Sequence, residues 1–310
     1  MAKKKNFPQK ILSPSSIATY LDCNRKYYNR YCLGIDDSFR FALIRGSMVH
    51  KVVEDFFYLK ASDFQPDEND DYEMSFCVEM EKIFDRRWNE KQMRAVCDKE
   101  DMDYDTAKME SLESVLTFAR IQWFNIRGGY RKMKNFARSW FFLKPKFSER
   151  KLKCESLHLR GVVDAIIDLN DELYIMDYKT SNIFKLPFSE EYKRQLTMYS
   201  LMMRETEGEH IYHVGNWFLK YGIQALYEIT EDDIDKCKAL VEDVYAKTRS
   251  IDVNDYPCNT DYMFCSQEWC SQCTPKCPIH DEYDGPDKVT KKSKKNDSKK
   301  KKSAFDRSDD

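Results

Sequence analysis

The residues best placed to do chemistry lie in two consecutive apolar segments. Gly161-Val-Val-Asp-Ala-Ile-Ile-Asp-Leu169 and Glu172-Leu-Tyr-Ile-Met-Asp-Tyr-Lys-Thr180 read as strands joined by a tight Asn170-Asp171 turn. Side chains alternate along a strand, so Asp177 and Lys179 project from one face while Tyr178 points away. Asp164 on the neighbouring strand comes within reach of them. Two carboxylates on a rigid sheet suit a hard divalent ion such as Mg²⁺, which takes oxygen ligands and keeps several waters. Lys179 beside them is placed to orient or help deprotonate one of those waters. A purely structural alternative is that Asp164 and Asp177 pair with Lys179 or Arg160. Charged groups in strands rich in Val, Ile, Leu and Tyr cost several kcal/mol unless paired or metal-bound, so three of them close together favour a site.

Cysteine is the second candidate chemistry. Of eleven cysteines, Cys258, Cys265, Cys270, Cys273 and Cys277 fall within twenty residues, while Cys32, Cys77, Cys97, Cys154 and Cys237 are scattered singly and read as small apolar residues. The Cys270-x-x-Cys273 spacing serves iron–sulfur clusters and Zn²⁺ alike. The basic start Met1-Ala-Lys-Lys-Lys-Asn-Phe-Pro has no apolar run behind it, so a secretory signal is not expected. Clustered cysteines then point to a reducing, cytoplasmic setting and to metal or redox chemistry rather than disulfides.

The elements that must position these residues follow from pattern. Residues 1–10 read as a disordered basic arm, and Ser13-Pro14-Ser15-Ser16 caps a first helix that is expected to carry Ile17, Tyr20, Leu21 and Tyr28, with Cys23 on the way. A second helix is expected to open after Gly46-Ser47, with Met48, Val49, Val52, Val53, Phe56 and Phe57 on one face and His50 and Glu54 one turn apart. Residues 61–75 read as an acidic loop, and 76–140 as mostly helical. Strands follow at Leu152–Leu157 and in the two segments above. Then come a helix over 188–205, strands at His210–Leu219 and Gly222–Ile229, and a helix capped by Thr230. The order predicts an α/β fold with a central mixed sheet flanked by helices and a helical insertion over 60–150.

The formal net charge of −2 is uneven: residues 287–310 hold ten Lys/Arg against five Asp/Glu, leaving 41 basic and 48 acidic residues in the rest. The lysine-rich tail has almost no apolar residues and is expected to be disordered, a solvated tail or a sequence-independent tether for phosphate backbones. No stretch approaches the ~18 apolar residues of a membrane span, so no membrane partner is expected.

The motifs Gly161-Val-Val-Asp164, Ile175-Met-Asp-Tyr-Lys-Thr-Ser181, Gln195-Leu-Thr-Met-Tyr199 and Gly46-Ser-Met-Val-His50 together resemble the PD-(D/E)XK nuclease superfamily. The opening Leu12-Ser-Pro-Ser-Ser-Ile17 and Cys23-Asn-Arg-Lys-Tyr-Tyr28 resemble its RecB-like branch, which includes CRISPR adaptation nucleases and iron–sulfur helicase-nucleases. The resemblance covers most of residues 11–279 and implies a restriction-endonuclease-like core within a nuclease domain over 11–286. It implies that His50, Asp164 and Asp177, with the backbone carbonyl of Tyr178, hold Mg²⁺ or Mn²⁺. Lys179 would be the catalytic lysine, and Gln195 and Tyr199 would position DNA and support the site. It also implies a [4Fe–4S] cluster held by Cys23 and three of Cys265, Cys270, Cys273 and Cys277 in a Cys-rich segment over 258–280. One of those four is surplus, and a Cys₄ Zn²⁺ site is the alternative.

The expected function is a metal-dependent DNA nuclease, an exonuclease on single strands or duplex ends in recombination, repair or phage DNA processing. The alternatives are a CRISPR spacer-acquisition nuclease and a catalytically silent DNA-binding module that partners a helicase. No Gly-x-x-x-x-Gly-Lys-Ser/Thr motif occurs, so unwinding would need another chain. Tyr27, Tyr28, Tyr31, Trp123, Tyr130 and Trp140 are candidates for base stacking, although most such residues belong to cores.

Overall fold

The computed structural model describes residues 10–35, 39–169, 171–181, 189–259 and 261. Residues 1–9 of the basic arm, the lysine-rich tail, Asn170, and Cys265, Cys270, Cys273 and Cys277 lie outside the described residues. The chain divides into two compact units, Met1–Asp37 with Val244–Asp310, and Ser38–Asp243.

In the first unit, α1 (Pro14–Asp22) opens on a capping box. The Ser13 hydroxyl accepts from the Ser16 N–H and the Ser16 hydroxyl accepts from the Ser13 N–H, with Pro14 at the first helical position where no N–H is needed. Cys23 breaks the helix with extended backbone, and α2 (Asn24–Tyr27) restarts it and runs into a π turn over Tyr28–Cys32. Tyr27 and Tyr256, neither of them exposed, stack at 6.1 Å.

The second unit begins with α3 (Phe41–Tyr58), α4 (Glu73–Arg87), α5 (Glu90–Lys99), α6 (Tyr104–Met133) and α7 (Phe136–Leu143). Helix α3 starts five residues before Gly46, earlier than sequence suggested. Phe41 and Ile44 extend the buried stripe of Val49, Val52, Val53 and Phe56. Burying each contributes about 1.5–3 kcal/mol, more than the ~1 kcal/mol that a helical glycine costs. The predicted loop over 61–75 holds a 3₁₀ turn at Ala61–Asp63 before α4 begins.

A five-stranded sheet follows in the order β1 (Phe147–Cys154), β2 (Leu159–Leu169), β3 (Glu172–Lys179), β4 (His213–Phe218) and β5 (Ile223–Glu228). Only β3 and β4 are parallel, so a crossover must join them, and α8 (Glu190–Glu207) supplies it; α9 (Glu231–Lys247) follows β5. This is an α/β fold with a mixed sheet flanked by helices, matching the restriction-endonuclease-like architecture expected. Strand β1 starts five residues before the expected Leu152. Its first half, Phe147-Ser-Glu-Arg-Lys151, lacks apolar alternation because it is an edge strand.

Ala165, Met176, Tyr178 and Trp217 of the sheet pack into a core with Phe56, Phe57, Phe76, Phe118, Trp123, Tyr130, Phe136 and Trp140. Trp123 and Trp140 are 1% and 2% exposed, and Tyr27 and Tyr130 are buried, so these four stacking candidates are packing residues.

Helix α8 lies on the opposite face, and Gly161 sets how close it comes. A Cβ there would stand 2.8 Å from Tyr199 Cε1 and 2.9 Å from Met202 Cε, inside van der Waals contact. Gly161→Ala should therefore destabilise the fold by about 1–3 kcal/mol through overpacking, partly offset by the ~0.4–1 kcal/mol that Ala gains from a less free unfolded chain. Urea melts check this, and a midpoint at or above that of the wild type would show that the contact is not tight.

Candidate active site

Four strands and two helices converge on one polar, charged cluster. Asp177 on β3 is 4% exposed, and its carboxylate accepts from Lys179 Nζ at 2.6 Å, Gln195 Nε2 at 2.9 Å and Asn216 Nδ2 at 3.1 Å. Gln195 serves three partners at once. Its amide nitrogen also donates to the Tyr199 hydroxyl at 3.1 Å, while its carbonyl oxygen accepts from Lys179 Nζ at 3.0 Å. Residues four apart on α8 share a face, which is why Gln195 and Tyr199 arrive together. The Lys179 ammonium also stands 4.6 Å from the centre of the Tyr192 ring. Burial works against the Lys179 charge, but Asp177 outweighs it and drives the amine above its ordinary value. Burial likewise pushes the Asp177 carboxyl up, with Lys179 pulling it back and Asp164 adding repulsion.

Asp164 sits where the sheet is locally interrupted. The β2–β3 ladder begins at Ala165–Met176, and the Tyr178 N–H donates to Asp164 Oδ2 at 2.8 Å. On the other side Glu149 stands opposite Asp164, between the Ser148–Ala165 and Arg150–Val163 pairs, with a positive φ of 50°. A residue other than glycine held there costs about 1–3 kcal/mol. From α3, His50 Nδ1 comes within 3.4 Å of Asp164 Oδ2, and its ring meets Tyr178 edge-on. One ligand atom from each of His50, Glu149 and Asp164 lies within 4.8 Å of the others, and all three residues are partly exposed.

Burial opposes a charged His50 ring, yet the charge and hydrogen bond of Asp164, with the charge of Asp177, push it up to about 9. Burial raises Glu149 as well, Asp164 repels it, and Lys51 at 3.8 Å partly offsets both. The Glu149 and Asp164 carboxylates repel each other beside the imidazole, and a cation bound between them would relieve that repulsion and take the place of the His50 proton.

The chain matches the PD-(D/E)XK nuclease superfamily over residues 11–277. It belongs to that superfamily. No curated protein matches it. Among solved structures it is similar to the "Putative exonuclease" of Eubacterium rectale at 12% identity and a TM-score of 0.39, covering 80% of this chain and 85% of that one. At that distance the likeness says nothing about what this chain cleaves.

PD-(D/E)XK nucleases use divalent metals, and the side chains present fit one. An imidazole and two carboxylates, partly exposed and mutually close, are suitable donors for Mg²⁺ or Mn²⁺. His50 and Asp164 thus meet as sequence suggested, whereas both oxygens of Asp177 face Lys179, Gln195 and Asn216. Sequence reasoning missed Glu149 and Asn216. Glu149 hides in a charged edge-strand run, but Asn216 carried a signal: an amide inside the apolar strand His213-Val-Gly-Asn-Trp-Phe218, in register with Asp177.

In the first unit Cys23 is buried and its hydrogen-bonding thiol partner is Cys258, a residue the spacing argument passed over. That bond, opposed by burial and helped by the N–H groups of Asn259, Lys26 and Arg25, draws the Cys23 thiol down to about 6.

Proposed function

We propose that the chain is a divalent-metal-dependent deoxyribonuclease of the RecB-like branch, working as an exonuclease on single strands or duplex ends in recombination, repair or phage DNA processing. The observation that carries this reading is the convergence of His50, Glu149 and Asp164 beside the Asp177–Lys179–Gln195 network. His50, Asp164 and Glu149 would hold Mg²⁺ or Mn²⁺, with Asp177 and the Tyr178 carbonyl beside them. When bound, the metal supplies a Lewis acid for the scissile phosphate and acidifies a water.

The chain's own residues do the rest. Lys179, held by Asp177, Gln195 and the Tyr192 ring, presents a fixed ammonium that stabilises charge developing on the phosphate or moves a proton at the attacking water. Gln195 keeps the lysine and Asp177 in one geometry, and Tyr199 anchors Gln195. Helicase partnership and an iron–sulfur cluster at Cys23 rest on the motif resemblance of the first helix.

The test is to purify the protein anaerobically and assay end-labelled linear and covalently closed circular DNA with Mg²⁺ or Mn²⁺, and with chelator. Metal-dependent loss of linear DNA with the circle spared is the expected result. Cleavage of the circle would remove the exonuclease assignment. Equal activity in Asp177→Ala, or none in the wild type with either metal, would remove the nuclease site.

A further inference from the structure

We propose that Phe141 and Phe142 of α7, with Tyr58 at the end of α3, form a stacking platform that takes single-stranded DNA and leads it to the metal site. This rests on the nuclease reading above and adds where on the protein the strand lies.

Three aromatic rings stand in water. Phe141, Tyr58 and Phe142 are 72%, 65% and 64% exposed, more than any other aromatic side chain among the described residues. All three lie at one junction. The Leu59 carbonyl, next to Tyr58, accepts from Trp140 Nε1 at 3.1 Å and from Lys144 Nζ at 2.6 Å, which ties the end of α3 to the end of α7. Helix α7 turns Phe136, Ser139 and Trp140 inward, so the two positions after Trp140, about 100° and 200° round the helix, face outward. Trp140 already serves the core, packing on Phe56 and Phe64. Phe141 and Phe142 meet each other edge-on at 5.6 Å.

From that junction a row of bonded groups runs along α3 to the site. The Tyr58 hydroxyl donates to Glu54 Oε1 at 3.2 Å, Lys51 bonds the same carboxylate, and Lys51 Nζ also stands 3.8 Å from Glu149. Lys51 and Tyr58, seven positions apart, share a helix face and lie about 10 Å apart along its axis, the length of about three stacked nucleotides. The charge around the rings suits a polyanion. Residues 124–146 hold seven Lys/Arg and no Asp/Glu. Arg131 and Lys134 are engaged with Asp71 at 3.8 Å and Asp70 at 2.8 Å, but Arg127, Lys132, Arg138, Lys144 and Lys146 have no ion-pairing carboxylate among the described residues. The Arg138 guanidinium lies 5.6 Å from the centre of the Phe142 ring, so a cation stands beside an exposed aromatic face. Rings flanked by cations suit a single strand, whose bases are open to stacking, and not a duplex, whose bases already stack on one another.

The experiment measures fluorescence anisotropy of an end-labelled oligothymidylate of about 16 nucleotides, and of a blunt duplex of equal length, with the full-length chain in chelator so that metal-dependent cleavage does not intervene. Each stacked base is worth about 5- to 150-fold in affinity. Phe141→Ala/Phe142→Ala and Phe141→Leu/Phe142→Leu should therefore each weaken oligothymidylate binding about 25-fold or more, and Phe141→Trp/Phe142→Trp should bind like the wild type. Duplex binding should change less than about twofold in all of them. Tyr58→Ala, on a different helix, gives an independent reading with a loss of about fivefold or more. Arg138→Gln should flatten the log–log salt dependence by about 0.7, while the ring variants keep the wild-type slope. Wild-type oligothymidylate affinity in the alanine pair, in a protein whose wild type cleaves DNA, overturns this inference and leaves the nuclease reading standing. Equal losses for duplex and single strand, or a leucine pair that binds like the wild type, overturn it too, because neither comes from stacking. A wild type that neither binds nor cleaves DNA removes the nuclease reading and the platform with it. A dimeric wild type and a monomeric alanine pair of unchanged DNA affinity would assign the rings to a contact between copies instead.

Discussion

Replacing Lys179 by Met should lower DNA hydrolysis by about 100- to 10,000-fold, the usual worth of a positioned proton-handling group. Methionine keeps the length and most of the volume of the side chain and removes the ammonium that lies 2.6 Å from Asp177 and 3.0 Å from Gln195. The same change costs stability, because Asp177 is 4% exposed and loses its only ion-pairing lysine among the described residues. Breaking one side of a buried pair costs about 3–5 kcal/mol, and the remaining amide donors of Gln195 and Asn216 bring this case toward the lower end. Loss of activity in the single variant is therefore ambiguous between chemistry and folding. The double variant Asp177→Asn/Lys179→Met separates them, since removing both charges leaves no unpaired ion. It should melt closer to the wild type than Lys179→Met alone and remain just as inactive. Activity within about threefold of wild type in Lys179→Met would show that its ammonium does not take part in catalysis.

That double-variant logic depends on residues of unequal visibility in the sequence. Asp177 and Lys179 stood out because alternation puts charge on one face of an otherwise apolar strand, and Gln195 and Tyr199 because a four-residue spacing shares a helix face. The β3–α8–β4 crossover was likewise legible, since the period changes from two to helical and back over residues 172–219. Glu149 was not, for a physical reason. Its neighbours Ser148, Arg150 and Lys151 make a run that reads as solvated, and its place opposite Asp164 depends on a backbone conformation, φ 50°, that composition does not encode. Helix α3 began early for a similar reason. Gly46-Ser47 looks like a boundary when read locally, yet the buried stripe from Phe41 to Phe57 crosses it. Cys23 and Cys258 are 235 positions apart, so only tertiary structure joins them.

Asp164 is where the ladder defect, the histidine and the second carboxylate meet, and two substitutions there should differ in stability but not in metal binding. Asp164→Asn keeps an oxygen to accept from the Tyr178 N–H and removes the charge, whereas Asp164→Ala removes both. Affinity for Mn²⁺, read by calorimetry or electron paramagnetic resonance, should fall about 100-fold or more in either variant. Only Asp164→Ala should also lose about 1–3 kcal/mol for the unsatisfied N–H. His50 supplies a further readout. Burial works against its charge, Asp164 and Asp177 hold it, and its value of about 9 lies above the ordinary 6.5. A histidine raised on folding contributes stability that is fully present below its unfolded value and is lost as the pH climbs through its folded one. The stability gap between wild type and Asp164→Asn should therefore be wider at pH 6 than at pH 10. In the variant the His50 ring resonance should titrate nearer 6.5. A His50 titration left near 9 would mean that Asp164 is not its partner, and the charge on the ring would then have to be held by Asp177 and Glu149.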